Sequence, residues 1–200
     1  FEVVGHKWAD FAEYGFGVSL LNDCKYGYSC HGNVLRLSLL RAPKRPDDKA
    51  DIHQHFFRYA LLPHSSCENA FFFFYTFQSA NVIGHAYALN SPLLTIPTRG
   101  ELPKKSIGLF KVSTSQVVLE TVKRAEDDNS LILRFYEAFG GRCQCDVWIN
   151  GLMAIKDALY CNLLEDAIKG DKIHLEKSDT GNTFSMYLEP FEVKSVKLCW

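Results

Sequence analysis

Short apolar runs separated by clusters of Gly, Asn, Asp and Ser repeat along the whole chain, and few of them carry a helical period. Residues 15–21 and 34–40 are two such runs, with Gly32-Asn33 as the turn dipeptide expected to join them. Further runs cover 56–62, 107–112, 116–124 and 131–139, the last closing on Gly140-Gly141. Between 143 and 150 the chain alternates, which puts Cys143, Cys145, Val147 and Ile149 on one face of a strand. Residues 173–176 and 184–188 flank the turn sequence SDTGN, and 191–198 forms the final run. About ten strands at roughly ten-residue spacing predict an all-β fold, an antiparallel β-sandwich. Helical spacing is confined to two places. Val82, Ile83, Ala86 and Tyr87 predict a helix over 80–90, and a second is expected over 153–168, weakened by Gly151.

One run raises a packing question. As a strand, FFFFYTF at 71–77 points Phe71, Phe73, Tyr75 and Phe77 one way and Phe72, Phe74 and Thr76 the other. Leaving three Phe side chains in water forfeits about 1.5–3 kcal/mol each. Both faces are therefore expected to be covered, either by layers within this chain or by polypeptide outside it. The long polar connection RAPKRPDDKADIHQH, 41–55, is expected to be mobile or functional.

Composition narrows the function classes without choosing one. The hydrophobic fraction of 47% and charged fraction of 22% suit a folded globular domain. A net charge of −1 and scattered basic residues give no footprint for nucleic acid or an anionic membrane. No apolar run approaches the roughly 20 residues of a membrane span. The chain opens on Phe1 in a strand-like stretch, so it reads as a piece of a longer polypeptide. Seven cysteines, an odd number spread through apolar segments, read as reduced thiols rather than a disulfide framework. No Asn-x-Ser/Thr acceptor occurs. Both features lean towards a cytoplasmic protein.

Candidate chemistry is thin. His53 and His55 sit two apart and can face one metal ion from a strand, but no third ligand accompanies them, and loop-exit histidines are the plainer reading. Cys143-Gln144-Cys145 is one residue short of a redox pair and fits core thiols. Asp47-Asp48 and Asp127-Asp128 read as solvated turn acids. No nucleophile elbow, phosphate loop or Ser/His/Asp arrangement stands out. The residues alone support an all-β domain with no visible active site, for which carbohydrate binding is one option.

Several collinear segments go further. GHKWADFAEYGFGVSLLNDCKYGY at 5–28, GNVLRLSLLRAPKRPD at 32–47 and HFFRYALLPH at 55–64 resemble the class II α-mannosidases of glycoside hydrolase family 38, in their cytosolic-type branch. The resemblance continues through HAYALNSPLL (85–94), LILRFYEAFGG (131–141), CNLLED (161–166) and EPFEVKSVKL (189–198). It implies the C-terminal β-sandwich region of such an enzyme, supersandwich-like, with a subdivision near 100–115 into a main sandwich and a small terminal β subdomain. The implied activity is hydrolysis of terminal α-linked mannose from oligosaccharides with retention, by an Asp nucleophile and a second carboxylic acid. A zinc or cobalt ion is expected with them in the N-terminal catalytic domain. None of those residues lies in these 200 positions, so no catalytic or metal residue is assigned here.

What the resemblance implies for this portion is contact with the catalytic domain and a share in the rim of the active site. Relatives carry an Arg-Arg pair followed by acids after a Gly-led strand. Here that segment reads Leu40-Arg41, with Pro43 and Pro46 intervening before Asp47-Asp48. Arg41 is the first candidate rim residue, with a loop anchor as the alternative. Asn22, Asp23 and Tyr26 are the others, set against a corner-building role for Asn22-Asp23. Tyr26 and Tyr28, where exposed, can stack on a sugar face. The implied partners are the catalytic domain of the same polypeptide and a mannose-containing oligosaccharide, with no nucleic acid and no membrane. Homo-oligomerisation stays open. The alternative from another class is a stand-alone carbohydrate-binding or structural sandwich module.

Overall fold

The computed structural model describes residues 1–13, 15–65, 78, 80–97, 99, 100 and 106–200. The Phe71–Phe77 run and Cys67 lie outside the described residues. The described chain holds four antiparallel sheets and one helix, an all-β sandwich architecture, divided into two compact units at residues 1–98 and 99–200.

The first unit contains two three-stranded sheets. In one, β2 (Trp8–Glu13), β3 (Phe16–Asn22) and β6 (Tyr59–His64) lie in the order β2-β3-β6. In the other, β1 (Val3–Val4), β4 (Gly27–His31) and β5 (Val34–Ser38) lie in the order β1-β4-β5. Helix α1 (Val82–Asn90) lays Val82 and Ala86 against Trp8, Leu21, Ala60 and Leu62 of the first sheet. The helix expected over 80–90 is thus present. Pro63 is tolerated in β6 because that strand lies at a sheet edge, where a missing N–H breaks no central ladder. The Gly32-Asn33 turn joins β4 to β5, not the run 15–21 to 34–40 as expected. The reason is that β3 is already flanked by β2 and β6, while GYSCH, though polar, supplies the strand beside β5.

The second unit is a two-sheet sandwich. Strands β7 (Phe110–Val112), β10 (Cys143–Asn150), β13 (Glu176–Ser178) and β14 (Gly181–Leu188) form a sheet in the order β13-β14-β10-β7. Strands β8 (Val117–Arg124), β9 (Leu131–Glu137), β11 (Asp157–Cys161), β12 (Ala167–Lys172) and β15 (Val193–Cys199) form the other, in the order β12-β11-β15-β9-β8. Alternation decides what is buried. Cys145, Val147 and Ile149 point inward opposite Met186, Phe184 and Asn182, and meet Leu133, Phe135, Val196 and Leu198 from the facing sheet. Phe135 and Phe184 touch edge to face at 6.4 Å between ring centroids, a geometry that favours aromatic pairs beyond their area. Gly181 begins β14 where a Cβ would lie 2.0 Å from the Ile149 carbonyl oxygen, so only glycine fits there.

The helix expected over 153–168 is overturned. Residues 157–161 form β11, inserted between β12 and β15, with Ala158 and Cys161 buried. Asn162 then stops the strand, its Oδ1 accepting from the Leu164 amide at 2.8 Å and the Asp166 amide at 3.0 Å. That is turn chemistry competing with helix, and the turn prevails.

Candidate functional site

The four rim candidates fall on the corner between β3 and β4 and on the loop after β5. Asn22 ends β3 with its side chain fully buried, and both ends of its amide are used. Oδ1 accepts from the Lys25 amide at 2.8 Å, while Nδ2 donates to Tyr28 Oη. Tyr28 Oη in turn donates to the Leu20 carbonyl at 3.0 Å. Burial pushes the Tyr28 phenol above its ordinary pKa, with the Asn22 amide acting the other way, so it stays a neutral donor. The Asn22 carbonyl receives Asn90 Nδ2 at 2.9 Å from the end of α1. Asn22 is therefore the internal brace of the corner.

Asp23 is the outer brace. Its Oδ1 accepts the Arg58 amide at 3.0 Å and its Oδ2 the Arg58 Nε at 3.3 Å. Arg58 Nη2 also donates to the Leu89 carbonyl at 3.3 Å, so one guanidinium ties the corner to the last turn of the helix. The Cys24 thiol, then the Arg58 amide and guanidinium, hold the Asp23 carboxyl below the ordinary carboxylate range. The same contact, with burial, pushes the Cys24 thiol up, which keeps it a poor nucleophile.

Tyr26 is 46% exposed and meets His6 edge on at 4.8 Å, so one ring face stands open beside the corner. Lys25 Nζ lies 5.1 Å over the Phe57 ring and Lys7 Nζ 4.7 Å over Tyr87. Arg41 is exposed in the loop after β5, and no hydrogen bond or ion pair joins it to the corner among the described residues. The structure thus brings Asn22, Asp23 and Tyr26 together with Arg58, His6 and Asn90, and leaves Arg41 apart. Arg58 and Asn90 escape sequence reasoning because their partners are 35 and 68 residues away. The only local signal was that Arg58 stands among apolar neighbours.

Other candidates resolve without a reaction centre. The His53 and His55 rings lie 4.1 Å apart, tilted by 41°, in the loop before β6, and His55 Nε2 bonds the Asp51 carbonyl. Among the described residues no three metal-ligating side chains come together. Cys143 and Cys145 lie on the inward face, and burial raises both thiols. One cluster was not anticipated. Asp10, Ser19 and His64 meet across β2, β3 and β6, with Ser19 Oγ donating to Asp10 Oδ1 at 2.6 Å and His64 Nε2 at 2.8 Å from the same oxygen. Both groups bind the carboxylate, and no hydrogen bond joins Ser19 to His64, so the nucleophile-to-base contact of a triad is missing.

Residues 1–49 match the glycosyl hydrolases family 38 C-terminal domain, and 116–196 match the C-terminal beta sandwich domain of the same family. The chain is 45% identical over 99% of its length to Alpha-mannosidase 2C1 of Homo sapiens, and 39% identical over 98% to Alpha-mannosidase G of Dictyostelium discoideum. The chain belongs to glycosyl hydrolase family 38. It spans 18% and 17% of the length of those two relatives. An alpha-mannosidase structure from Enterococcus faecalis V583 matches the fold with a TM-score of 0.67 at 16% identity, over 98% of this chain and 21% of that one.

Proposed function

We propose that this chain is the C-terminal β-sandwich portion of a cytosolic-type α-mannosidase that removes terminal α-linked mannose from oligosaccharides with retention. The observation that carries the reading is 45% identity to Alpha-mannosidase 2C1 sustained over 99% of the chain, not confined to one motif. The catalytic carboxylates and a zinc or cobalt ion belong to a preceding catalytic domain of the same polypeptide. The described residues do not offer a ligand set for the ion, and no step of the chemistry is assigned to it here. Six described cysteines are free thiols and the sequence lacks an Asn-x-Ser/Thr acceptor, both of which support a cytoplasmic setting.

In this reading the chain contributes part of the substrate rim. Tyr26 presents a ring for the apolar face of a sugar, and Arg41 a guanidinium fork for its hydroxyls. Asn22 and Asp23 hold the corner from which Tyr26 projects, so they act through it.

The test is hydrolysis of p-nitrophenyl α-mannoside and of a mannose oligosaccharide by the full-length protein and its Tyr26→Ala and Arg41→Ala variants. Turnover by the wild type with KM for the oligosaccharide raised about tenfold in either variant, the loss of one contact of about 1.4 kcal/mol, supports the rim. Unchanged KM and kcat in both variants remove this chain from the rim. No hydrolysis of either substrate by the wild type overturns the activity.

A further inference from the structure

The chain enters β2 through a strained bend. The Trp8 amide donates to the His6 carbonyl at 2.8 Å across a single residue, and that residue, Lys7, has φ 69°. A bond from residue i+2 back to residue i around a positive φ is the rare hand of γ-turn, which glycine adopts freely and lysine only under strain. Three other non-glycine residues among those described have positive φ, and each has a local task. Asn81 precedes α1, Glu165 clasps the turn after β11, and Phe191 lies in the turn held by Glu137. At Lys7 the strain shapes the corner. The Lys7 carbonyl accepts the Asn22 amide at 2.9 Å, and the Gly5 amide donates to the Tyr26 carbonyl at 2.9 Å, so residues 5–8 lie along it. The bend leaves His6 exposed, with its ring at 89° to that of Tyr26. Among the described residues no hydrogen bond takes either nitrogen of the His6 ring. Backbone strain of this kind gathers where a side chain has to be aimed.

We propose that His6 and Tyr26 form a sugar subsite that selects an oligosaccharide over a single mannoside, with His6 as a specificity-determining residue. The inference rests on the reading that this corner belongs to the substrate rim of an α-mannosidase. Two rings at a right angle make two walls of one notch. A pyranose has an apolar C–H face that suits the Tyr26 ring, and hydroxyls around its edge. A neutral imidazole carries one donor and one acceptor, a pair that matches two neighbouring hydroxyls, the first accepting and the second donating. The cations beside the notch are turned to aromatic faces, Lys7 over Tyr87 and Lys25 over Phe57, so the notch suits a neutral polyol and not an anion. The corner carboxylate, Asp23, is committed to Arg58. The subsite therefore supplies contacts and no chemistry. An aryl group in place of a second sugar has no ring of hydroxyls for His6 to bond, so what the notch reads is a further mannose unit.

Steady-state kinetics of the full-length protein on a mannose oligosaccharide and on p-nitrophenyl α-mannoside test this, with His6→Ala, His6→Gln and Tyr26→Ala compared with the wild type. His6→Ala should raise KM for the oligosaccharide about five- to tenfold, as expected for the loss of one or two hydrogen bonds. Its kcat on both substrates, and its KM for the aryl mannoside, should stay within about twofold of the wild type. His6→Gln, which keeps a donor and an acceptor, should recover most of the loss. A loss as large in His6→Gln as in His6→Ala means that the ring only props Tyr26, and overturns the direct contact. An equal loss on both substrates in His6→Ala overturns the selection for a further unit. An effect of Tyr26→Ala without one of His6→Ala sinks the proposal and leaves the rim standing. No effect of either substitution takes the rim reading down, and so does a wild type that hydrolyses neither substrate; the subsite falls with it.

Discussion

Asn22 and Glu137 show how single polar residues hold this chain where apolar packing cannot. Asn22→Ala leaves the Lys25 amide without its acceptor and the buried Tyr28 oxygen without its donor, at a cost of about 1–3 kcal/mol. Urea unfolding should show that loss, and an unchanged midpoint would mean that the corner is held by other contacts. Glu137 ends β9 almost fully buried, and its carboxylate accepts the amides of Phe139 and Gly140 at 2.8 Å and of Phe191 at 2.9 Å. Burial alone would raise its pKa, but these amides and that of Gly141 outweigh it and the net shift is downward. A depressed folded value means that the carboxylate stabilises the fold fully above its unfolded pKa of about 4.5, and that the contribution fades as pH falls through the folded value. Acid titration followed by circular dichroism should therefore show a loss below about pH 4.5 that Glu137→Gln removes. That variant should also be less stable at pH 7 by about 3 kcal/mol, because an amide nitrogen cannot accept a hydrogen bond. Asp128 behaves differently. Lys197 at 2.7 Å and the Ser130 side chain and amide hold its pKa to about 2, so it stays ionised through the same window.

At the scale of elements, the strands legible in the sequence are those with one covered face. Strand β10 and the later part of β14 alternate because their inner side chains enter a single core, and α1 shows its period because one side lies on a sheet. Phe184, paired with Val147 and packed on Phe135, is the largest contributor in β14. Phe184→Ala should cost about 3–5 kcal/mol by leaving a cavity, measurable as a lower thermal midpoint with secondary structure retained. What could not be read has physical causes. Residues 27–31 lack apolar alternation because only Tyr28 of that strand is buried. Residues 153–168 carry apolar spacing that fits helix and strand alike, and only the neighbours β12 and β15 decide the matter. The corner itself was legible at Asn22-Asp23 as turn-forming residues. Its clasp by Arg58 and Asn90 depends on a fold that brings distant segments together.

At the scale of the whole molecule, the described residues are held by packing, with no cross-link among them. The six described cysteines are free, and burial raises the thiols of Cys145 and Cys161. Chemical unfolding should give the same midpoint with and without dithiothreitol, and a reductant-dependent midpoint would reveal a disulfide that this arrangement does not contain. No described helix is long and apolar enough to cross a membrane. The Glu137 carboxylate has a further bearing, on how the chain can change in length. It clasps two turns at once, 138–141 and 189–192, and Gly140, at φ 76°, leaves no room for a Cβ because the Phe191 ring lies 2.6 Å from that position. Neither turn can gain a residue without detaching the other. The Asp127-Asp128-Asn129 turn, fastened mainly at the surface, carries no such double duty. Insertions in related chains, or a peptide tag placed by design, should therefore be accepted at 127–129 and rejected at 138–141.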